Sequence, residues 1–435
     1  QSGCGITVQS PVDLIKRPVI ETNQRAIRTV IDSNLPLGST LIRPLESDNL
    51  GSVGIFDWDS DGIDDFYAFY RNTDLLEVGV LVIKQIDGNW KLAARVREVG
   101  VDIAFAEFSD FNDDGIKDVI LGVSAKDEIF RGITAFQYTD KKRFEPVFKE
   151  LYSELRIEDV NLDGQRDMLL FKLDRNKFAS AHLIEYANGV FKQTSEIAMD
   201  AFVSGYYAIS YGKVSSDRYG FVLDFSIGSK SASNILYLDK GSLKLAFDPF
   251  ADESTYQLTI KESPITSRDV DGDGIIEVGN RRLPSNYYEW SPNPPFFNMW
   301  YQWDGIESLN LIVMNYIDEA EGYRLDFPEF WTEPALSGEL LIIKSHRIMD
   351  RSFLDIYLRP DDAVLYKMLS IEILTKVDLD LESEEKPLQM KIGETEDKVF
   401  MGSILDLTTV PAIHYELCRS LYLDIKEIGL YFSIQ

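Results

Sequence analysis

Four nine-residue segments carry the same pattern of acids and recur at a near-constant interval. They are Asp57-Trp58-Asp59-Ser60-Asp61-Gly62-Ile63-Asp64-Asp65, Asp110-Phe111-Asn112-Asp113-Asp114-Gly115-Ile116-Lys117-Asp118, Asp159-Val160-Asn161-Leu162-Asp163-Gly164-Gln165-Arg166-Asp167 and Asp269-Val270-Asp271-Gly272-Asp273-Gly274-Ile275-Ile276-Glu277. Their first residues lie 53, 49 and 110 apart. The last gap is about twice the others, so a repeat near residue 214 has kept its place and lost its acids. Tyr211-Gly212-Lys213-Val214-Ser215-Ser216-Asp217 fills that place, followed by the strand-like Phe221-Val222-Leu223-Asp224-Phe225. A fixed period of this length marks an array of one supersecondary unit, which limits the fold more than any other feature of the chain.

Between the acidic segments, strand-like runs break at a turn and resume. Val82 to Trp90 turns at Asp87-Gly88, Leu183 to Phe191 at Asn188-Gly189, Leu236 to Gly241 at Lys240-Gly241, and Trp300 to Gly305 at Asp304-Gly305. Asp-Gly and Asn-Gly between alternating runs are hairpin signals. Each period then holds a loop, an apolar strand such as Met168-Leu169-Leu170-Phe171, and a hairpin. That is the content of a four-stranded propeller blade. The expectation is a mainly β chain: a tail and short helix over 1–38, a β-propeller of about five four-stranded blades over 39–318, and a small α+β domain over 319–435. In the last part, Gly338 to Arg359 alternates as a hairpin, and apolar residues 413, 417, 421, 425 and 428 fall on one helical stripe.

The acidic segments read as cation cages. Calcium takes six to eight hard oxygen ligands in a loose geometry. Side chains at positions 1, 3 and 5 converge when the chain turns sharply, and Gly at position 6 permits the turn. The acid at position 9 closes the cage. The expected ligands are Asp57, Asp59, Asp61 and Asp65; Asp110, Asn112, Asp114 and Asp118; Asp159, Asn161, Asp163 and Asp167; and Asp269, Asp271, Asp273 and Glu277. The alternative is a set of plain solvated acidic turns. An EF-hand would need Glu at position 12, where this chain has Ala68, Leu121, Leu170 and Asn280, and dockerin-type repeats fail on the same position. The loops resemble the FG-GAP (VCBS-type) repeats of integrin-α-like β-propellers, a resemblance that covers roughly residues 39 to 317. It implies a calcium role for positions 1, 3, 5 and 9 of the four intact loops.

The chain has 44 Lys+Arg against 72 Asp+Glu, a formal net charge of −28, which argues against a nucleic-acid partner. With 45% hydrophobic residues it is not an acidic disordered tail. The loop ligands contribute fourteen of the carboxylates, and four calcium ions would bring the charge to −20.

Gln1-Ser2-Gly3-Cys4-Gly5 resembles the end of a bacterial lipoprotein signal, with Gln1 where the pattern usually has Leu. This implies a lipid anchor at Cys4 and a secreted or cell-surface location. No apolar run reaches the roughly 18 residues of a spanning helix. Phe327-Pro328 with Trp331 is similar to the opening of PsbP-like domains, which begin with an aromatic-Pro-x-x-Trp strand entry, and the region resembles C-terminal domains of Firmicutes lipoproteins with acidic repeats upstream. That resemblance implies an interaction module.

There is no nucleophile elbow, Walker loop, dinucleotide fingerprint or His-Glu-x-x-His. His182, His346 and His414 are isolated, and each reads as surface or packing. The aromatic run from Tyr287 to Trp303 could grip a sugar or a partner, or pack the last blade. The expected function is a calcium-stabilised extracellular binding or scaffold protein, a monomer with a protein or glycan ligand. The alternative is an extracellular glycan-active enzyme or accessory.

Overall fold

The computed structural model describes residues 21–47, 49–124, 131–248, 253–283, 296–349, 351–377 and 388–435. Cys4, most of the aromatic run before Phe296, and the polar stretch 378–387 lie outside the described residues. The chain divides into two compact units, Gln1–Ala201 and Phe202–Gln435.

The chain is mainly β, and the described residues form six antiparallel sheets of four or five strands. The first unit holds three. The first sheet pairs Thr40–Leu41, Asp65–Asn72, Glu77–Ile86 and Asn89–Val99 in that order, with Val53–Phe56 also on the second of these. The second sheet runs Asp102–Ser109, Asp118–Ser124, Arg131–Tyr138 and Phe144–Tyr152, and the third runs Glu154–Glu158, Asp167–Asp174, Phe178–Ala187 and Val190–Met199. Both are simple meanders in chain order. Their inner strands are apolar on both faces because both faces are covered: Met168, Leu169, Leu170 and Phe171 are all fully buried. Outer strands alternate instead, as Val190–Met199 does. One core joins the first and second sheets through Val80, Val96, Val119, Leu121 and Phe136, and another joins the second and third through Ile120, Ile133, Tyr152 and Leu170. Helix α1 (Glu21–Asn34) lays Ile27 and Ile31, one turn apart, on Tyr70, Leu81 and Ile83 of the first sheet.

The second unit holds the other three. Val203–Lys213, Tyr219–Ile227, Lys230–Asp239 and Ser242–Leu245 form the fourth sheet, and helix α2 (Glu253–Thr259) follows it. The fifth sheet pairs Val278–Arg282, Phe297–Trp303, Leu309–Asp318 and Tyr323–Asp326, and the final strand Phe432–Ile434 joins its edge. The sixth runs Leu341–Ile348, Arg351–Asp361, Val364–Thr375, Lys398–Ile404 and Gln389–Glu394. One core spans the fifth sheet, the sixth sheet and helices α3 (Glu329–Ser337), α4 (Ala412–Ser420) and α5 (Ile425–Tyr431).

Two local expectations are corrected. The apolar stripe from 413 to 428 is not one helix. Asp424 caps α5, accepting from the Lys426 backbone N–H while Glu427 reaches back to the Asp424 N–H, and this capping box starts a new helix. Ile413 is consequently 84% exposed rather than core. Phe327-Pro328 opens helix α3, not a strand: Pro328 sits at the cap, where its missing N–H costs nothing. Trp331 is buried, and its indole N–H donates to the Leu421 carbonyl at 2.8 Å. The described part of the aromatic run is core too, since Phe297, Trp300 and Trp303 are buried in the fifth sheet. Cys418 is buried and free.

Candidate metal centres

Each of the first three acidic segments joins two antiparallel neighbours in its sheet: Val53–Phe56 and Asp65–Asn72, Asp102–Ser109 and Asp118–Ser124, and Glu154–Glu158 and Asp167–Asp174. The fourth precedes Val278–Arg282 and is closed by the bridge between Arg268 and Glu277.

The four loops repeat one hydrogen-bond network. The carboxylate at position 1 accepts from the Gly N–H at position 6: Gly62 to Asp57 at 3.0 Å, and Gly115 to Asp110, Gly164 to Asp159 and Gly274 to Asp269 at 2.9 Å. Position 5 accepts from the N–H at position 7, from Ile63 to Asp61 at 2.9 Å through Ile275 to Asp273 at 2.7 Å. Position 9 accepts from the N–H at position 2: Trp58 to Asp65, Phe111 to Asp118, Val160 to Asp167 and Val270 to Glu277. The backbone thus anchors the acids at positions 1, 5 and 9, and at Asp110, Asp159 and Asp269 it holds both oxygens.

The turn needs two left-handed residues. Position 6 is always Gly, with φ between 80° and 91°. A Cβ there would meet nothing within 4 Å, so conformation and not crowding selects glycine. Position 4 also takes positive φ, at Ser60, Asp113, Leu162 and Gly272, which the spacing of acids does not reveal. Replacing Gly164 by Ala is expected to lower the stability of metal-free protein by about 1–2 kcal/mol in a urea titration. No change in the midpoint would contradict the strained-turn account.

Asp57, Asp59 and Asp61 converge, with oxygens within 4.8 Å of one another, and so do Asp269, Asp271 and Asp273. Asn112 and Asn161 take position 3 in the other two loops, where each accepts from the N–H at position 5. The acids at position 9 lie beneath. Asp65, Asp118, Asp167 and Glu277 are all buried. Burial pushes the Asp65 carboxyl up to about 6, against the pull of the Trp58 N–H and Lys84. It pushes Asp118, Asp167 and Glu277 up to about 7, with neighbouring loop carboxylates adding to the effect. A hard cation would answer both the convergence and the burial. The donor set fits one: all the groups are oxygens, and the buried Asp57 Oδ1 and Asp65 Oδ1 have no hydrogen-bond donor.

The loops also link neighbouring sheets within each unit. Position 8 reaches back to the preceding sheet. The Lys117 N–H donates to the Trp58 carbonyl at 2.8 Å, Arg166 pairs with Glu107, and the Ile276 N–H donates to the Lys213 carbonyl at 2.9 Å. The fourth sheet keeps this link without a cage. Its connector, Val214 to Arg218, is short, and the Arg218 guanidinium lies over the Tyr237 ring and donates to the Gly305 carbonyl.

One set of residues escaped the sequence pattern. Phe66 pairs with Ile83, Val119 with Phe136, Met168 with Ile184 and Val278 with Tyr301. The next residue along each partner strand is Lys84, Gln137, Glu185 and Gln302, beside the position-9 acid. Each touches its own loop. Lys84 binds Asp59 and Asp61, Gln137 donates to Asp118, Glu185 accepts from Asn161, and Gln302 donates to Asp273. Lys84 and Glu185 both stand four residues before a hairpin glycine, Gly88 and Gly189, which is the only sequence signal for them.

The isolated histidines are satisfied by packing partners. His182 bonds Ser180 and Gln193, His346 stacks on Phe353, and His414 bonds Tyr366. Among the described residues, no helix is long and apolar enough to cross a membrane.

No family model and no curated protein matches the chain. Among solved structures, a protein from Lactobacillus plantarum is similar at 12% identity over 70% of this chain and 81% of its own, with a TM-score of 0.29. A provisionally assigned 6-phosphogluconolactonase from Bacteroides uniformis is similar at 11% identity over 70% of this chain and 80% of its own, with a TM-score of 0.28.

Proposed function

We propose that the chain is a calcium-stabilised extracellular binding or scaffold protein built from FG-GAP-type propeller blades, with a PsbP-like module toward its C-terminus. One observation carries the calcium reading: four loops repeat the same hydrogen-bond network, and it gathers hard oxygens over a buried carboxylate. The ligands would be the residues at positions 1, 3, 5 and 9. Calcium would supply charge neutralisation and a tie between two neighbouring strands of a sheet. Loops this exposed suit the weaker calcium sites of extracellular modules, which work at about 10⁻⁴–10⁻³ M. That supports a cell-surface location with an anchor at Cys4.

The ligand is a protein or glycan. A glycan array run with calcium present tests the binding role against the enzymatic alternative. Retention of a sugar without turnover supports binding, and cleavage of the retained sugar contradicts it. Replacing Asp159 and Asp163 together is expected to remove one bound calcium, while replacing Asp217 removes none. A calcium count unchanged by the first pair would contradict the assignment of that loop.

A further inference from the structure

We propose that the cross-strand residue beside each loop, together with the loop's own acids, sets the order in which the loops fill with cation, and that Lys84 makes the first loop the last to fill. The inference rests on the calcium reading above and adds a hierarchy to it.

The first loop already contains a cation. The Lys84 ammonium donates to Asp59 Oδ1 at 2.5 Å and Oδ2 at 2.6 Å, and to Asp61 Oδ2 at 2.6 Å. Its side chain is only 18% exposed, so solvent screens these contacts weakly. The neutralisation is incomplete. Asp65 is fully buried, and its Oδ1 has no donor, nor has the buried Asp57 Oδ1. Lys84 serves positions 3 and 5 and leaves oxygens at positions 1 and 9 unanswered. A divalent ion seated among all four acids would satisfy those oxygens, and it must displace the ammonium to do so.

The other loops carry an uncharged or acidic residue at this position, and the second and third also have Asn in place of Asp at position 3. Gln302 donates to Asp273 at 2.8 Å and Gln137 to Asp118 at 3.3 Å, both without charge. Glu185 accepts from the Asn161 amide at 2.7 Å and adds a negative charge beside the third cage. Ligands and cross-strand residue together carry four negative charges in the third and fourth sites and three in the second. Calcium affinity should follow: the third and fourth loops fill first, the second next, and the first, where an ammonium must leave, last. A unit charge at about 4 Å from a site shifts cation affinity by about tenfold or more, even when well screened.

The Trp58 backbone N–H gives the first loop its own probe, because it donates to Asp65 Oδ2, that loop's position-9 acid. In protein with ¹⁵N-labelled tryptophan, the Trp58 amide signal is assigned with Trp58→Phe and followed through a calcium titration. Total calcium uptake is measured in parallel. In the native protein the Trp58 midpoint should lie above the midpoint of total uptake. Lys84→Gln should lower the Trp58 midpoint about tenfold or more, and Lys84→Arg should leave it in place. Glu185→Lys, read by total uptake, should weaken one site by a similar factor and does not depend on how the Lys84 variants fold. A Trp58 midpoint unmoved by Lys84→Gln, or uptake unmoved by Glu185→Lys, overturns the hierarchy while calcium binding stands. No uptake by the native protein at all overturns the calcium reading and the hierarchy with it.

Discussion

Calcium at about 10–100 mM, a hundredfold above the dissociation constants of such sites, is expected to raise the melting temperature of the 1–201 unit by about 16–32 °C over the chelated protein. Each site held at about a hundredfold above its dissociation constant adds about 2.7 kcal/mol to the folded state. The unit carries three loops, so the sum is about 8 kcal/mol. For a unit of this size each kcal/mol moves the melting temperature by about 2–4 °C. The 202–435 unit carries one intact loop, and its rise should be near 5–10 °C on the same scale. Calorimetry with calcium, then with chelator, should therefore separate the two units by the size of their responses. The direction follows from the site. Without a cation, Asp65, Asp118, Asp167 and Glu277 are carboxyls buried beneath other acids. A melting curve indifferent to both calcium and chelator would contradict the account.

Lys261→Met is expected to destabilise the second unit by about 3–5 kcal/mol. Lys261 and Asp224 are both fully buried, with Nζ and Oδ1 2.6 Å apart. Asp224 also accepts from Ser233 Oγ, Ser267 Oγ and the Ser267 N–H, so it sits at the centre of a buried network. Burial lowers the Lys261 pKa, and Asp224 opposes that. Removing the ammonium leaves a buried negative charge without its counter-ion, which is the costly direction. Replacing Asp224 by Asn in the same chain should recover a large part of the loss, since the charge goes with its partner. Urea melts of the single and double variants check this. A double variant no more stable than Lys261→Met would mean that packing around the lysine, and not charge, explains its effect. Asp224 lies in the sheet whose connector lacks the cage acids, and Lys261 bridges to that sheet at Ser231, so the sheet relies on a buried ion pair and on Arg218 stacked over Tyr237.

What was readable in the sequence and what was not divides by range. The ligands of each loop sit within nine residues of one another, and their hydrogen bonds to the loop backbone are local, so spacing alone displays them. The hairpins announced themselves through Asn188-Gly189 and similar turns. Lys84 and Glu185 did not, because their role depends on strand register, which places them beside an acid about twenty residues earlier. The buried pairing of Lys261 with Asp224 spans 37 residues and carries no local pattern. The break between α4 and α5 was local and legible. Asp424 with Glu427 is a capping-box signal, but the apolar stripe running through it is equally regular, and periodicity alone favours a single helix. At Phe327-Pro328 an aromatic-proline pair suits either a strand or a helix start, and the burial of Trp331 against the Leu421 carbonyl decides for the helix.

The acidity of the chain acquires a location in this account. Fourteen of its carboxylates stand at the ligand positions of four loops. The central claim is that these loops hold calcium, and the most direct test is crystallographic. Anomalous difference maps from crystals grown in calcium, or exchanged with a lanthanide, should show four peaks. Each should lie among the side chains at positions 1, 3, 5 and 9 of one loop, with none at Val214 to Arg218. The first loop's peak should be the weakest at low cation concentration. Maps without density in the four loops at saturating cation would contradict the claim.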